Sequence, residues 1–435
     1  MSINPNEFPK RRKALMRMMG EGSIAILPTA KEKVRNRDAD YPYRADSDFY
    51  YLTGFPEPEA LMVLVPGRKS GEFVLFCRER DPEQETWHGR RAGLEGACER
   101  YGADDAFPIG DIDDILPGLI ENCDKVFYTF GNDVEHDQLI TGMVHKLRNL
   151  SRSGTHSPHE FVALDHLLHD MRLYKSRSEL KVMREASRIS AAAHVRAMQA
   201  CRAGVMEYQL EAEFLYQFRR HNGHPAYTTI VGGGENGCIL HYTENNCELK
   251  SGDLVLIDAG CEIDNYAADI TRSFPVNGKF SEAQSAVYQL VLDAQYAAIE
   301  QIKPGNHWNN PHEAAVKVLT KGLVKLGLLK GRVPKLIKDQ AYRRFYMHRT
   351  GHWIGLDVHD VGDYKVGDAW RVLEPGMVLT IEPGLYIGND TDIPKAFHNI
   401  GIRIEDDVVV TKDGYEVMTD GVPKEINEIE QLMAR

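Results

Sequence analysis

The chain has no CxxC pair, no apolar run long enough to cross a membrane, no excess of positive charge and no phosphate-cradling glycine loop. Each absence removes a class. Seven cysteines, an odd number scattered from Cys77 to Cys261, give no disulfide framework and read as free thiols of a reducing compartment. The N-terminus, MSINPNEFPKRRKALMRMMG, has a basic cluster but too little apolar length for a signal peptide, so a cytoplasmic protein without membrane contact is expected. A formal net charge of -12 argues against a chain that grips nucleic acid through its phosphates. There is no GxSxG elbow, HExxH helix or P-loop, and Gly232–Gly234 in VGGGENG lacks the GxGxxG spacing, reading instead as a flexible loop beside His241.

What is present is an ordinary globular composition, 43% hydrophobic and 27% charged, over 435 residues, enough for two domains. Short apolar runs at Ser23–Leu27, Ala60–Val65 and Glu72–Cys77, bounded by Gly or Pro, alternate with helical patterns and predict a small α/β domain over residues 1–172. Ser151–Glu160, SRSGTHSPHE, is the linker candidate by composition. A long helix opened by Ser178 then begins an α+β domain over 173–435, whose hairpins follow a second helix, Glu207–His221.

Leu254–Phe274 reads as a hairpin. A turn centred between Ile263 and Asp264 would set Asp258 directly opposite Asp269. Opposed buried carboxylates need a cation between them; the alternative is that one faces solvent or pairs with Arg272. VLTIEPGLYI and GIRIEDDVVV repeat the construction, with Glu382 and Glu405 equidistant from a midpoint at Ile393–Pro394. Between the hairpins lie His348, His352 and His359, and His241 precedes them in CILHYT. Four carboxylates and an imidazole form a hard, oxygen-rich set suited to two divalent ions, Mn²⁺ first. Such a pair acidifies a bridging water and polarises the carbonyl it attacks, which is peptide-hydrolase chemistry.

These residues resemble the ordered motifs of the pita-bread metallopeptidases, the family of creatinase and methionine aminopeptidase, in VLIDAG, DITRSF, HRTGHWIG, TIEPGLY and GIRIEDD. YPYRADSDFYYLTGFPEPEA and ETWHGRRAG are similar to the N-terminal domain of bacterial aminopeptidase P, so the resemblance covers nearly the whole chain. It implies a small creatinase-like α/β domain followed by a pita-bread catalytic domain. The metal ligands it implies are Asp258, Asp269, His352, Glu382 and Glu405, with Asp269 and Glu405 bridging. It also implies His241 and His359 as donors to the substrate carbonyl and tetrahedral intermediate, Glu382 as proton carrier, and His348, Tyr364, Tyr386 and Arg403 around the proline ring and the residues beyond. The implied reaction is hydrolysis of the bond between an N-terminal residue and a following proline by a metal-bridging hydroxide, the substrates being peptides with proline second. A homo-oligomer, a tetramer or dimer of dimers in which Trp87 reaches a neighbour's site, is implied as well. Prolidase is the nearest rival, and a silent peptide-binding module the other.

Overall fold

The computed structural model describes residues 2–434. It divides into a unit spanning Asn4–Met171 and a larger one that joins residues 2–3 to the chain from Arg172 onward.

In the smaller unit the apolar runs become the strands Ser23–Pro28, Leu61–Leu64 and Phe73–Cys77. They join Asp105–Pro108, Lys125–Phe127 and Glu160–Val162 in one six-stranded mixed sheet. Ser23–Pro28 is central, antiparallel to Leu61–Leu64 and parallel to Lys125–Phe127. Ile24, Ile26, Val63, Val74, Phe76 and Val126 form its core with Leu116, Ile120, Ile140, Met143 and Leu147 from two amphipathic helices, Ile112–Ile120 and Val134–Asn149. The segment expected as a linker lies inside this unit, and only its end enters the sheet. Its last residue, Glu160, begins the edge strand and pairs with Lys125. Composition marked a loop correctly but not that its backbone amides would be taken up by the neighbouring strand.

The larger unit opens with the helix Arg177–Ala200, capped by Ser176 where the sequence suggested Ser178. The Ser176 hydroxyl accepts from the Glu179 amide at 3.3 Å and the Glu179 carboxylate accepts from the Ser176 amide at 2.8 Å, a reciprocal capping box. Glu207–Arg220, Glu282–Ile299 and Asn310–Lys325 supply the other long helices, and Glu282–Ile299 packs against Val378–Ile381, Gly384–Ile387 and Ile400–Arg403.

The first acidic hairpin forms with a shifted register. Asp264 and Asn265 both have positive φ, 51° and 66°, and make a two-residue turn, so Asp258 pairs with Thr271 and not with Asp269. The displacement is an even number of residues, so both aspartates keep the face they were assigned. The second hairpin has the register its midpoint predicts, with Ile381 opposite Asp406 and Gly384 opposite Arg403. Its ladder breaks between these pairs, at Glu382–Pro383 and Ile404–Glu405, where Pro383 has no amide hydrogen to offer. The glycine run is not a flexible loop. Ile230–Gly233 is a strand paired with Leu254–Asp258, and a Cβ at Gly232 would lie 2.9 Å from the Asn236 main chain.

Candidate metal centre and active site

Asp258 ends the strand Leu254–Asp258, Asp269 stands just before Thr271–Pro275, and Glu382 and Glu405 flank the break in the second hairpin. His352 is held alongside by the main chain: its amide donates to the Thr380 hydroxyl at 3.1 Å and its carbonyl accepts from the Thr380 amide at 2.9 Å. These five side chains line one cavity of about 550 Å³. Ligand atoms of Asp269, His352 and Glu405 lie within 4.8 Å of one another.

The imidazole orientation is decided by its neighbours. His352 Nδ1 lies 2.9 Å from the Trp353 carbonyl, which only accepts, so Nδ1 carries hydrogen and Nε2 points at Asp269 (3.4 Å) and Glu382 (3.9 Å). Burial opposes charge on this ring, yet the bond to Asp269 and the charge of Glu382 raise it to about 9. Burial also drives Glu382 up to about 7 and Glu405 well above the ordinary range. For Asp269 burial is again the largest influence, but His352 outweighs it and the net shift is downward.

This pattern tests the fit of divalent metal. Four carboxylates face one guanidinium, Arg403, and one imidazole, so they ionise together only if further positive charge enters among them. The donor set, carboxylate oxygens and one imidazole with Nε2 facing inward, fits two divalent cations.

Arg403 does more than balance charge. It donates to Asp258 at 2.6 Å, to the Tyr386 hydroxyl at 2.9 Å and to the Thr271 hydroxyl at 3.0 Å, and Thr271 in turn donates to Glu405 at 2.6 Å. One buried guanidinium thereby orients ligands from both hairpins. The Tyr386 hydroxyl continues to His348 Nε2 at 2.8 Å, while His348 Nδ1 donates to the Arg349 carbonyl at 2.7 Å. His348 Nε2 is therefore an acceptor, and burial lowers the ring to about 3, keeping it neutral.

Ten of the expected site residues, the five ligands with His241, His348, His359, Tyr364 and Arg403, border the cavity. Tyr386 does not. It is 4% exposed and sits behind His348 against Ile230, Tyr242 and Leu256. His241 and His359 are exposed to the opening, the His359 ring centred 4.2 Å from that of His352. Tyr364 stacks on Trp353 at 5.7 Å and 7°, and Trp308 lies 4.5 Å from Tyr364, forming an aromatic wall. Trp87 is 77% exposed on the other unit.

The sequence reading missed four contributors. The Tyr227 hydroxyl lies 2.6 Å from Asp258 and 2.5 Å from Asp269, and no motif surrounds it to announce that role. Asp407 accepts from the Asp269 amide at 3.0 Å and was legible only as the last acid of IEDD. Trp308, in a segment with no motif, and Arg349, inside HRTGHWIG but given no role, also border the cavity.

Residues 181–412 match metallopeptidase family M24, and residues 8–128 match the aminopeptidase P N-terminal domain. The Xaa-Pro aminopeptidase of Escherichia coli K12 is 48% identical over 433 residues, 99% of this chain and 98% of the relative. The solved structure of the Pseudomonas aeruginosa aminopeptidase PepP is 60% identical, with a TM-score of 0.98 over 99% of this chain and 98% of its own. Zinc-substituted E. coli aminopeptidase P in complex with product gives a TM-score of 0.97 at 48% identity, covering 100% of this chain and 99% of that one.

Proposed function

Because the chain belongs to metallopeptidase family M24 and carries the aminopeptidase P N-terminal domain, we propose that it removes the first residue of peptides whose second residue is proline. It is a metallo-exopeptidase of two domains, a small α/β domain and a pita-bread catalytic domain. The observation that carries the reading is the convergence of Asp258, Asp269, His352, Glu382 and Glu405 in one cavity bounded by aromatic rings and histidines.

In this reading Asp258 would hold one ion and His352 and Glu382 the other, with Asp269 and Glu405 as the ligands they would share. The ions, when bound, supply Lewis acidity and an acidified water. Mn²⁺ is the proposed pair, on the strength of the oxygen-rich ligands. The rest falls to the chain's own groups. Glu382 takes the proton of the attacking water and returns it to the departing proline nitrogen. His241 and His359 place donors where negative charge grows on the carbonyl oxygen. His348, neutral, offers no charge of its own and instead holds its place through Tyr386 and Arg403. Proline's nitrogen brings no hydrogen and its ring fixes φ, so recognition rests on shape, for which the Trp308–Tyr364 wall is suited.

We place the enzyme in the cytoplasm as a homo-oligomer, a tetramer or dimer of dimers. The cysteines are all free, no helix among the described residues is long and apolar enough to cross a membrane, and Trp87 offers an exposed ring to a neighbour. The deciding assay strips metal with a chelator, restores Mn²⁺, and measures N-terminal release from Arg-Pro-Pro, Ala-Pro and Ala-Ala-Ala. Cleavage of Arg-Pro-Pro alone or with Ala-Pro supports the assignment. Cleavage of Ala-Pro alone makes it a prolidase, and no cleavage with any metal leaves a binding module.

A further inference from the structure

The smaller unit holds a second group of metal-ligand side chains, Asp124, His156 and His159, contributed by a strand entrance and by the segment THSPHE. Their ligand atoms lie within 4.8 Å of one another, with His156 Nε2 and the Asp124 carboxylate 3.1 Å apart. All three are solvent-exposed, so an ion can reach them without opening the fold. In a tetrahedral site with metal–ligand bonds of about 2.0–2.1 Å, neighbouring donors stand roughly 3.4 Å apart. His156 Nε2 and the Asp124 carboxylate are already near that spacing, and no pair of donors exceeds it by more than about 1.4 Å.

The backbone beneath them is already fixed. The Asp124 carbonyl accepts from the amides of His159 and Glu160 at 3.0 and 3.1 Å, the His156 carbonyl accepts from the Asn122 amide at 3.0 Å, and the Asp124 amide donates to the Gly22 carbonyl at 2.7 Å. Pro158, buried between the two exposed imidazoles, restricts its own φ and the conformation of Ser157. The three side chains therefore start from positions that cost little further order. Glu160, whose carboxylate reaches to 3.9 Å of His159 Nε2, adds negative charge beside the group.

We propose that Asp124, His156 and His159 bind a borderline divalent cation, Zn²⁺ by ligand preference, as a structural clip separate from the catalytic pair. Two imidazoles and one carboxylate form a softer set than the oxygen-rich catalytic one, and leave the fourth position to water or Glu160. The clip joins the entrances of two adjacent parallel strands, since Lys125 pairs with Glu160 directly after the ligands, and it ties residues 32 apart in sequence. Its effect is to hold the edge strand Glu160–Val162 on the sheet.

The test uses the full-length chain with its catalytic site loaded with Mn²⁺. Wild type and the His156→Ala/His159→Ala double variant are dialysed against buffered micromolar Zn²⁺ and analysed for total metal per chain, with Asp124→Asn as the single-ligand variant. The wild type retains one more metal equivalent than the double variant, Zn²⁺ raises its melting temperature and not that of the double variant, and both cleave Arg-Pro-Pro equally. Asp124→Asn loses the extra equivalent at the same Zn²⁺ concentration. Equal total metal in wild type and double variant, or an equal Zn²⁺-induced melting shift in both, overturns the clip and leaves a plain surface histidine–aspartate contact.

Discussion

Asp360 shows how one side chain ties ionisation to stability. Arg172 donates to it at 2.5 Å and Lys175 at 2.9 Å, all three buried. Burial would raise this carboxyl, but the charges of Lys175 and Arg172 outweigh it and hold the group below its usual range. A depressed native value means the contribution is complete above the unfolded carboxyl's pKa, near 3.9, and is lost as pH falls through the native one. Asp360→Asn takes the carboxylate partner from buried Lys175 and one of two from buried Arg172, which keeps Asp357 at 2.8 Å, and should cost about 3 kcal/mol at pH 7. Urea melts at pH 7, about pH 4 and about pH 2.5 check this: the penalty holds between the first two and shrinks only at the third, and a variant as stable as wild type at pH 7 refutes the account. At the metal centre, Asp269→Ala and Glu405→Ala should abolish metal retention, while His352→Ala keeps about one equivalent, because a carboxylate serving both ions has no substitute. Elemental analysis of the three variants decides it; equal retention in all removes the bridging assignment.

At the scale of strands and helices, the Gly384–Ile387/Ile400–Arg403 ladder lies in close main-chain approach to the Gly237 turn. A Cβ at Gly401 would lie 2.0 Å from the Gly237 carbonyl oxygen, backbone that has nowhere to move. Gly401→Ala should therefore cost about 3 kcal/mol and displace Arg403 two residues on, so urea stability and kcat fall together. Ser176→Ala removes a cap and should cost about 1 kcal/mol, with kcat unchanged. The two hairpins also show where sequence was readable. Glu382 and Glu405 were placed by counting from the loop midpoint because both flanking ladders are regular. Asp258 was set against the wrong partner because the positive φ of Asp264 and Asn265 fixes the turn, and composition did not distinguish that pair from Ile263–Asp264. The roles of Tyr227 and Asp407 were hidden for another reason: each reaches the site through tertiary contacts that leave no local periodicity. The edge strand Glu160–Val162 was hidden by its short length and by the Ser, Gly and Pro preceding it.

Across the whole molecule, the five proposed metal ligands all belong to the unit from Arg172 onward. Binding that favours the folded state stabilises it by about 2.7 kcal/mol at a ligand concentration one hundred times Kd. Removing Mn²⁺ should lower the calorimetric transition of that unit and leave the Asn4–Met171 transition in place; equal displacement of both would show that they unfold as one. The aromatic wall has an optical consequence. The four tryptophans divide between a solvent-exposed reporter, Trp87, and an indole set at the site, with Trp308 and Trp370 bordering the cavity and Trp353 buried behind. With Trp87 replaced by Phe, the tryptophan emission of the chain, excited clear of its tyrosines, comes from the neighbourhood of the active site alone, and a peptide entering the cavity announces itself in that spectrum without any label.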